Sequence, residues 1–335
     1  MQAAIYGLEG LVLKDDERAF FRDSDAAGYI LFKRNCETPD QVLRLTDSLR
    51  DLSGRDDVPI LIDQEGGRVA RMKPPEWPAF PAAERFANLY QIAPQSAIEA
   101  VRANARALAL MLRAAGVNVN ALPLLDVRQE GASDIIGDRA LGSQPMQVAA
   151  LGRAVLDGMA SAGVVGIIKH IPGHGRALVD SHKELPVVIA SADELEIDLE
   201  PFERLSAAPM GMTAHVVYEA WDPERPASLS PIVIRDIIRE RIGFDGWLMS
   251  DDLGMEALQG DFASRAAGVV AAGCDVALHC SGKMDEMVAV ATAVPAMSGE
   301  GHERLNRAMA GTRIDFDSVD FAGEIAKRDQ LLALA

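Results

Sequence analysis

Eight short apolar runs punctuate the chain, and the segments between them carry apolar positions at helical spacing. The runs are AAIYGL (3–8), GYILF (28–32), PILID (59–63), VNVNAL (117–122), VVGIIKH (164–170), MGMTAH (210–215), GWLMSD (246–251) and CDVALHC (274–280). Their length and β-branched content fit buried parallel strands better than helices. Between them, 39–50 and 96–115 place Leu, Ala and Val among polar residues at a spacing near 3.6, the mark of an amphipathic helix. Ala115-Gly116 and Ala162-Gly163 read as helix ends, with glycine supplying a left-handed cap. Ser230-Pro231 reads as an N-cap followed by proline at the first helical position, and Asp193-Glu194 as an acidic helix start.

Strands alternating with helices in this way fit a closed barrel or a doubly wound sheet. Polar residues gather immediately after the runs, on the rim where a parallel barrel carries its chemistry, and this favours an α/β fold of (β/α)8 TIM-barrel type. The expectation is a single domain over 1–335, with a helical tail from about Pro295 packed on the outside. No low-complexity linker or internal repeat interrupts the sequence.

Composition narrows the class without naming a chemistry. With 49% hydrophobic and 25% charged residues, the 335-residue chain can bury a large core. A net charge of −17 argues against a nucleic-acid or anionic-membrane partner. Cys36, Cys274 and Cys280 are too few and too scattered for a disulfide framework or zinc ribbon, and are expected as buried thiols. The N-terminus lacks a basic region, Glu9 breaks its apolar run, and no stretch approaches the ~18 apolar residues of a membrane span. A cytoplasmic protein is expected.

Charged groups placed directly after buried strands are costly unless paired, so several on one rim suggest a shared pocket. Run three ends in Asp63-Gln64-Glu65-Gly66-Gly67-Arg68 with Arg71 close behind. Run five ends in Lys169-His170, continues through Pro172-Gly173-His174-Gly175, and reaches Asp180-Ser181-His182. Run six ends in His215 and run seven in Ser250-Asp251-Asp252. Each piece also has a plainer reading. Asp251-Asp252 reads equally as a helix cap, Gly173 to Gly175 as a tight turn, and His170 or His215 as a hydrogen-bonded structural histidine. Asp180 two residues before His182 is less easily dismissed, because a loop aspartate can fix an imidazole tautomer.

Such a set suits glycoside cleavage, which needs a carboxylate at one face of the anomeric carbon and a proton donor beside the leaving oxygen. Asp251 on a rigid strand end is the nucleophile candidate, and His182 polarised by Asp180 the acid/base candidate. Asp63, Arg71, Lys169 and His170 suit sugar hydroxyls, and Arg139, after strand four, is placed to reach the same ring.

The segments GYILFKRN (28–35), DQEGGRVAR (63–71), GDRALG (137–142), KHIPGHG (169–175), DSH (180–182), MTAHVVY (212–218) and SDDLGM (250–255) resemble glycoside hydrolase family 3. More closely, they resemble its single-domain bacterial β-N-acetylhexosaminidases of peptidoglycan recycling, in matching order from about residue 5 to 290. The resemblance implies Asp251 as nucleophile of a retaining reaction and His182, paired with Asp180, as acid/base on a mobile loop. It implies that Asp63, Arg71, Arg139, Lys169 and His170 bind the N-acetylglucosamine ring. The implied substrate is N-acetylglucosaminyl-1,6-anhydro-N-acetylmuramic acid or its peptides, with no cofactor or metal. Multidomain members can take the acid/base from a second α/β domain; no such motif follows here, which strengthens the histidine assignment. From Pro295 to Ala335 no family motif is evident.

Three other readings keep part of this pattern. A histidine acid/base leaves the acceptor site less negative than a glutamate would, so phosphate in place of water would give a phosphorylase. A metal-dependent amidohydrolase also uses a His- and Asp-rich rim, but wants His-x-His after strand one, where Gly7-Leu8-Glu9 stands. A non-catalytic sugar-binding barrel would leave Asp251 without a task.

Overall fold

The computed structural model describes residues 1–312 and 320–335. Its strands are β1 (Gln2–Gly7), β2 (Ala26–Leu31), β3 (Ile60–Ile62), β4 (Val119–Asn120), β5 (Val165–Ile171), β6 (Val187–Val188), β7 (Met210–Thr213), β8 (Val217–Tyr218), β9 (Trp247–Asp252) and β10 (Val276–His279). Eight of them close into a parallel barrel in the order β1-β2-β3-β4-β5-β7-β9-β10, and β10 returns to β1. Each apolar run of the sequence contributes one barrel strand. The fold is a (β/α)8 TIM barrel, as the alternation of runs and helices implies.

The strands are buried on both faces because side chains fill the barrel interior on one side and helices cover the other. All residues of β2 and β5 are buried accordingly. Strand four is shorter than its run: regular strand covers only Val119–Asn120, and around Pro123, which has no N–H to donate, the pairing with β5 goes on as single bonds and the Leu124–Lys169 bridge. The pair β6–β8 lies outside the barrel and has no counterpart among the runs, since two residues are too few to show a period.

Local chemistry sets the helix ends. Thr38 accepts from the Gln41 N–H and Pro39 opens the helix Pro39–Ser53. Ser191 and Glu194 form a reciprocal capping box at the start of Ala192–Arg204. Gly116 and Gly163 take φ of 76° and 72°, the left-handed conformation expected after their helices. Ser230 Oγ accepts from the Val233 N–H at 3.1 Å, capping the helical segment that follows. Asp251 and Asp252 cap nothing; the next helix, Phe262–Ala272, is capped by Asp261.

The described part of the C-terminal tail packs outside the barrel. In Gly299–Ala310, Arg304 pairs with Asp245 and Asp275 near the N-terminal ends of β9 and β10. In Phe321–Leu332, Arg328 donates to Asn104 of the helix Pro94–Ala114. The expected tail also spans 313–319, which lie outside the described residues. All three cysteines are buried free thiols. Among the described residues no helix is long and apolar enough to cross a membrane.

Candidate active site

Seven of the eight site residues expected from the sequence line one pocket at the C-terminal end of the barrel: Asp63, Arg71, Arg139, Lys169, His170, His182 and Asp251. Asp180 stands behind His182, its Oδ1 2.9 Å from His182 Nδ1 and accepting the His182 backbone N–H at 2.9 Å. These contacts leave Nε2 as the ring nitrogen available to a ligand. His182 itself is well exposed, at 63% of its side chain.

Consecutive strand residues normally point to opposite faces, yet Lys169 and His170 both face the pocket. The β5–β7 register shifts between Ile168 and Ile171, and such an irregularity re-aims side chains at a barrel rim. The same device recurs where β9 meets β10: the register shifts between Val276 and Leu278, and Asp251 and Asp252 both reach the pocket.

Buried charge on one wall is compensated within a compact network. Lys169, 2% exposed, places Nζ 3.1 Å from Asp63 Oδ1 and 2.7 Å from Glu65 Oε1. Arg71 donates to Asp63 Oδ2 at 3.0 Å and stacks over the Phe32 ring at 4.9 Å. Arg139 grips Glu65 with two bonds of 2.8 Å, from Nε to Oε2 and from the terminal nitrogen to Oε1. Burial alone would raise the Asp63 and Glu65 carboxyls. Lys169 with Arg71, and Lys169 with Arg139, outweigh it and hold both below the usual carboxylate range.

A second network is built on Asp126, which is fully buried behind His170 and His174. Its Oδ2 lies 2.8 Å from His170 Nδ1, and its Oδ1 accepts the backbone N–H groups of His170 at 3.1 Å and His174 at 2.7 Å. Desolvation works against this carboxylate, but His170 and His174 bring it down to about 2. One carboxylate thus orients the His170 ring and anchors the loop that runs to His182. His174 is buried with its Nε2 3.2 Å from Ser181 Oγ, and burial lowers it to about 4, so it stays neutral.

Asp251 lines the same pocket. Burial pushes its carboxyl up, but the nearby His170 and His215 imidazoles hold it below its ordinary value, so it is ionised at neutral pH. Its neighbour shifts the other way. Asp252 is raised by burial and by Asp251, and its Oδ1 is committed to the N–H groups of Gly254 at 2.9 Å and Cys280 at 3.2 Å. His215 takes the plainer of its two readings: it is fully buried, bonded to Ser228 Oγ at 2.6 Å and the Asp252 carbonyl at 3.0 Å.

Residues 4–310 match the N-terminal domain of glycosyl hydrolase family 3. The chain belongs to glycoside hydrolase family 3. Among relatives of this family, a β-hexosaminidase of Methylococcus capsulatus is 38% identical over 321 residues, covering 94% of each chain. The crystal structure of native NagZ from Neisseria gonorrhoeae superposes with a TM-score of 0.88 at 31% identity, covering 99% of this chain and 98% of that one. The same gonococcal protein in complex with N-trifluoroacetyl-D-glucosamine also gives 0.88 at 31% identity, with the same coverage. As a family 3 member the chain is a glycoside hydrolase. Among its described residues no group of three or more His, Cys, Asp or Glu side chains is placed to hold a metal ion.

Glu65, Asp126 and His174 belong to this family 3 site and are absent from the set expected from sequence. Glu65 carried a signal, being two residues beyond Asp63 and so on the same face of an extended chain. Asp126 ends the apolar stretch Leu124-Leu125, the criterion that exposed the others, but Pro123 hides the continuity with strand four.

Proposed function

We propose that this family 3 hydrolase is a retaining β-N-acetylglucosaminidase that removes terminal β-linked N-acetylglucosamine from muropeptide fragments such as N-acetylglucosaminyl-1,6-anhydro-N-acetylmuramyl peptides in the cytoplasm. The observation that carries the reading is an ionised carboxylate on a rigid strand end, Asp251, facing the same pocket as a solvent-reaching imidazole backed by a carboxylate, His182 with Asp180. The β-hexosaminidase name of the 38%-identical relative, and the glucosamine derivative held by the gonococcal neighbour, support the sugar class.

In the first step an Asp251 oxygen attacks the anomeric carbon as the bond to the aglycone oxygen breaks. The protonated His182 gives its Nε2 proton to that oxygen, while its Nδ1–H keeps donating to Asp180, whose charge stabilises the imidazolium. In the second step neutral His182 takes a proton from water, and that water displaces Asp251 with a second inversion, so the β-configuration returns. Asp63, Arg71, Arg139, Lys169 and His170 hold the ring hydroxyls and the 2-acetamido group, each already fixed by a buried partner. The reaction calls for no cofactor.

The test is hydrolysis of 4-nitrophenyl β-N-acetylglucosaminide beside the matching β-glucoside, each with and without phosphate. Release from the acetamido sugar alone, unaffected by phosphate, supports the proposal. A rate that requires phosphate and yields a sugar 1-phosphate would make the protein a phosphorylase, and a preference for the plain glucoside would refute the substrate.

A further inference from the structure

The segment between Ile171 and Val187 carries His182 and is anchored at its base much more firmly than at its tip. At the base, Asp126 accepts the His174 N–H at 2.7 Å and the Tyr218 hydroxyl donates to the Gly173 carbonyl at 2.8 Å. Gly175 lies flat against the chain that follows β4, where an added Cβ would fall 1.9 Å from the Val127 carbonyl oxygen. Arg176 then reaches away from the pocket to the helix Ala192–Arg204. Its Nε donates to Asp198 Oδ2 at 2.5 Å and its terminal nitrogen donates to the Glu194 carbonyl at 2.7 Å. Beyond it Ala177 is still held, its carbonyl accepting the Ser133 N–H at 2.9 Å, but Leu178 is 70% exposed, and the arm is next held at Ser181, whose Oγ lies 3.2 Å from His174 Nε2 and whose carbonyl accepts the Ala257 N–H at 3.3 Å.

Asp198 is an unusual residue to find under a loop. It is 1% exposed, and its Oδ1 has no hydrogen-bond partner. Burial lifts its carboxyl to about 6 even with Arg176 beside it, so the guanidinium is what makes an ionised form tenable there. A buried carboxylate whose side-chain partner is a single loop arginine binds that loop at one defined point. Neither Arg176 nor Asp198 lines the pocket, so any effect on the reaction must pass through the chain between Arg176 and His182.

We propose that the Arg176–Asp198 ion pair is a positioning latch that sets where the 176–182 arm stands and thereby aims His182 over the pocket. The inference rests on the reading of His182 as the acid/base. With the latch removed, Asp126 and Tyr218 still hold the loop base, so Asp251 and the sugar-binding wall keep their places while the His182 arm loses its register. Arg176 and Asp198 are positioning residues, and their loss is selective for leaving groups that need protonation.

The experiment measures kcat/KM of the full chain and of Arg176→Met, Asp198→Asn, Arg176→Lys and His182→Ala on 2,4-dinitrophenyl and methyl β-N-acetylglucosaminides. Arg176→Met and Asp198→Asn are expected to lose at least about tenfold on the methyl glycoside and to stay within about twofold on the dinitrophenyl one. Arg176→Lys, which restores the charge, is expected to recover part of the methyl-glycoside loss. Retained dinitrophenyl turnover itself reports a folded site. Equal losses on both substrates in the two latch variants, or none on either, would overturn the latch while a selective loss in His182→Ala leaves the acid reading standing. An unselective loss in His182→Ala overturns the acid reading and the latch with it.

Discussion

Replacing Glu65 with glutamine changes one atom and removes the charge that balances one wall of the pocket. Glu65 makes three charge-assisted contacts: two 2.8 Å bonds from Arg139 and one of 2.7 Å from Lys169, all to a side chain 5% exposed. The glutamine oxygen can take the place of Oε1, keeping Lys169 and one Arg139 bond. Its amide N–H2 then faces the Arg139 Nε–H, donor against donor. The carboxylate's charge is gone as well, leaving Arg139 without its buried counter-ion and Lys169 with Asp63 alone. Breaking a buried pair by removing one partner costs about 3–5 kcal/mol, and the conservative swap belongs at the lower end, about 3 kcal/mol. The cost also depends on pH. The folded-state Glu65 carboxyl lies below its unfolded value of 4.5, so its contribution is complete above that pH and fades as pH falls through the folded value. Urea unfolding of both proteins at pH 7 and again near pH 3 reads the difference and its narrowing. Because Arg139 and Lys169 lose their aim, kcat/KM on 4-nitrophenyl β-N-acetylglucosaminide is expected to fall about 10²-fold. A stability difference under about 1 kcal/mol at pH 7, or one that widens in acid, would refute the network argument.

Three further outcomes follow from the same geometry. Asp251→Asn should lose at least ~10³-fold in turnover, since an amide cannot serve as the displaced and restored nucleophile; steady-state kinetics with a loss under about tenfold would contradict this. His182→Ala should lose far less on an activated aryl glycoside than on an alkyl one, which a series of leaving groups measures directly; parallel losses would remove His182 from the acid role. His174, His215 and His279 are all held below the ordinary histidine value of 6.5 by burial. The unfolded chain therefore binds protons first, and the urea midpoint should drop as pH falls below about 6.5; an unchanged midpoint down to pH 5 would show that these rings are not buried neutral.

Much of this architecture was legible because parallel barrel strands announce themselves. A strand buried on both faces reads as a continuous apolar run, and a charge at its end has few places to go but the rim. Asp63, Lys169-His170 and Asp251 were found on that signal, and the pocket brings all of them together. What escaped was set by contacts that have no sequence period. Asp126 acts through a buried carboxylate linking strand five to its loop, and Pro123 interrupts the run that would have flagged it. Gly175 reads from the sequence as part of a tight turn, whereas its backbone is pressed against the Val127 carbonyl, so the glycine is there for close approach. His215 and Asp252 carry the right residue types in the right place but spend their polar atoms on each other's surroundings. Residue type nominates a site; the partner that takes each polar atom decides whether it serves the ligand or the fold.

In the proposed reaction Asp251 forms a covalent bond to the sugar. Its most direct test is incubation with an activated fluorinated N-acetylglucosaminide that slows release of the glycosyl group, followed by mass spectrometry of the digested protein. One added glycosyl mass is expected, carried by the peptide containing Asp251 and absent when Asp251→Asn is treated alike. Inactivation with the label on another residue, or turnover of the reagent with no labelled protein at any time, would contradict it.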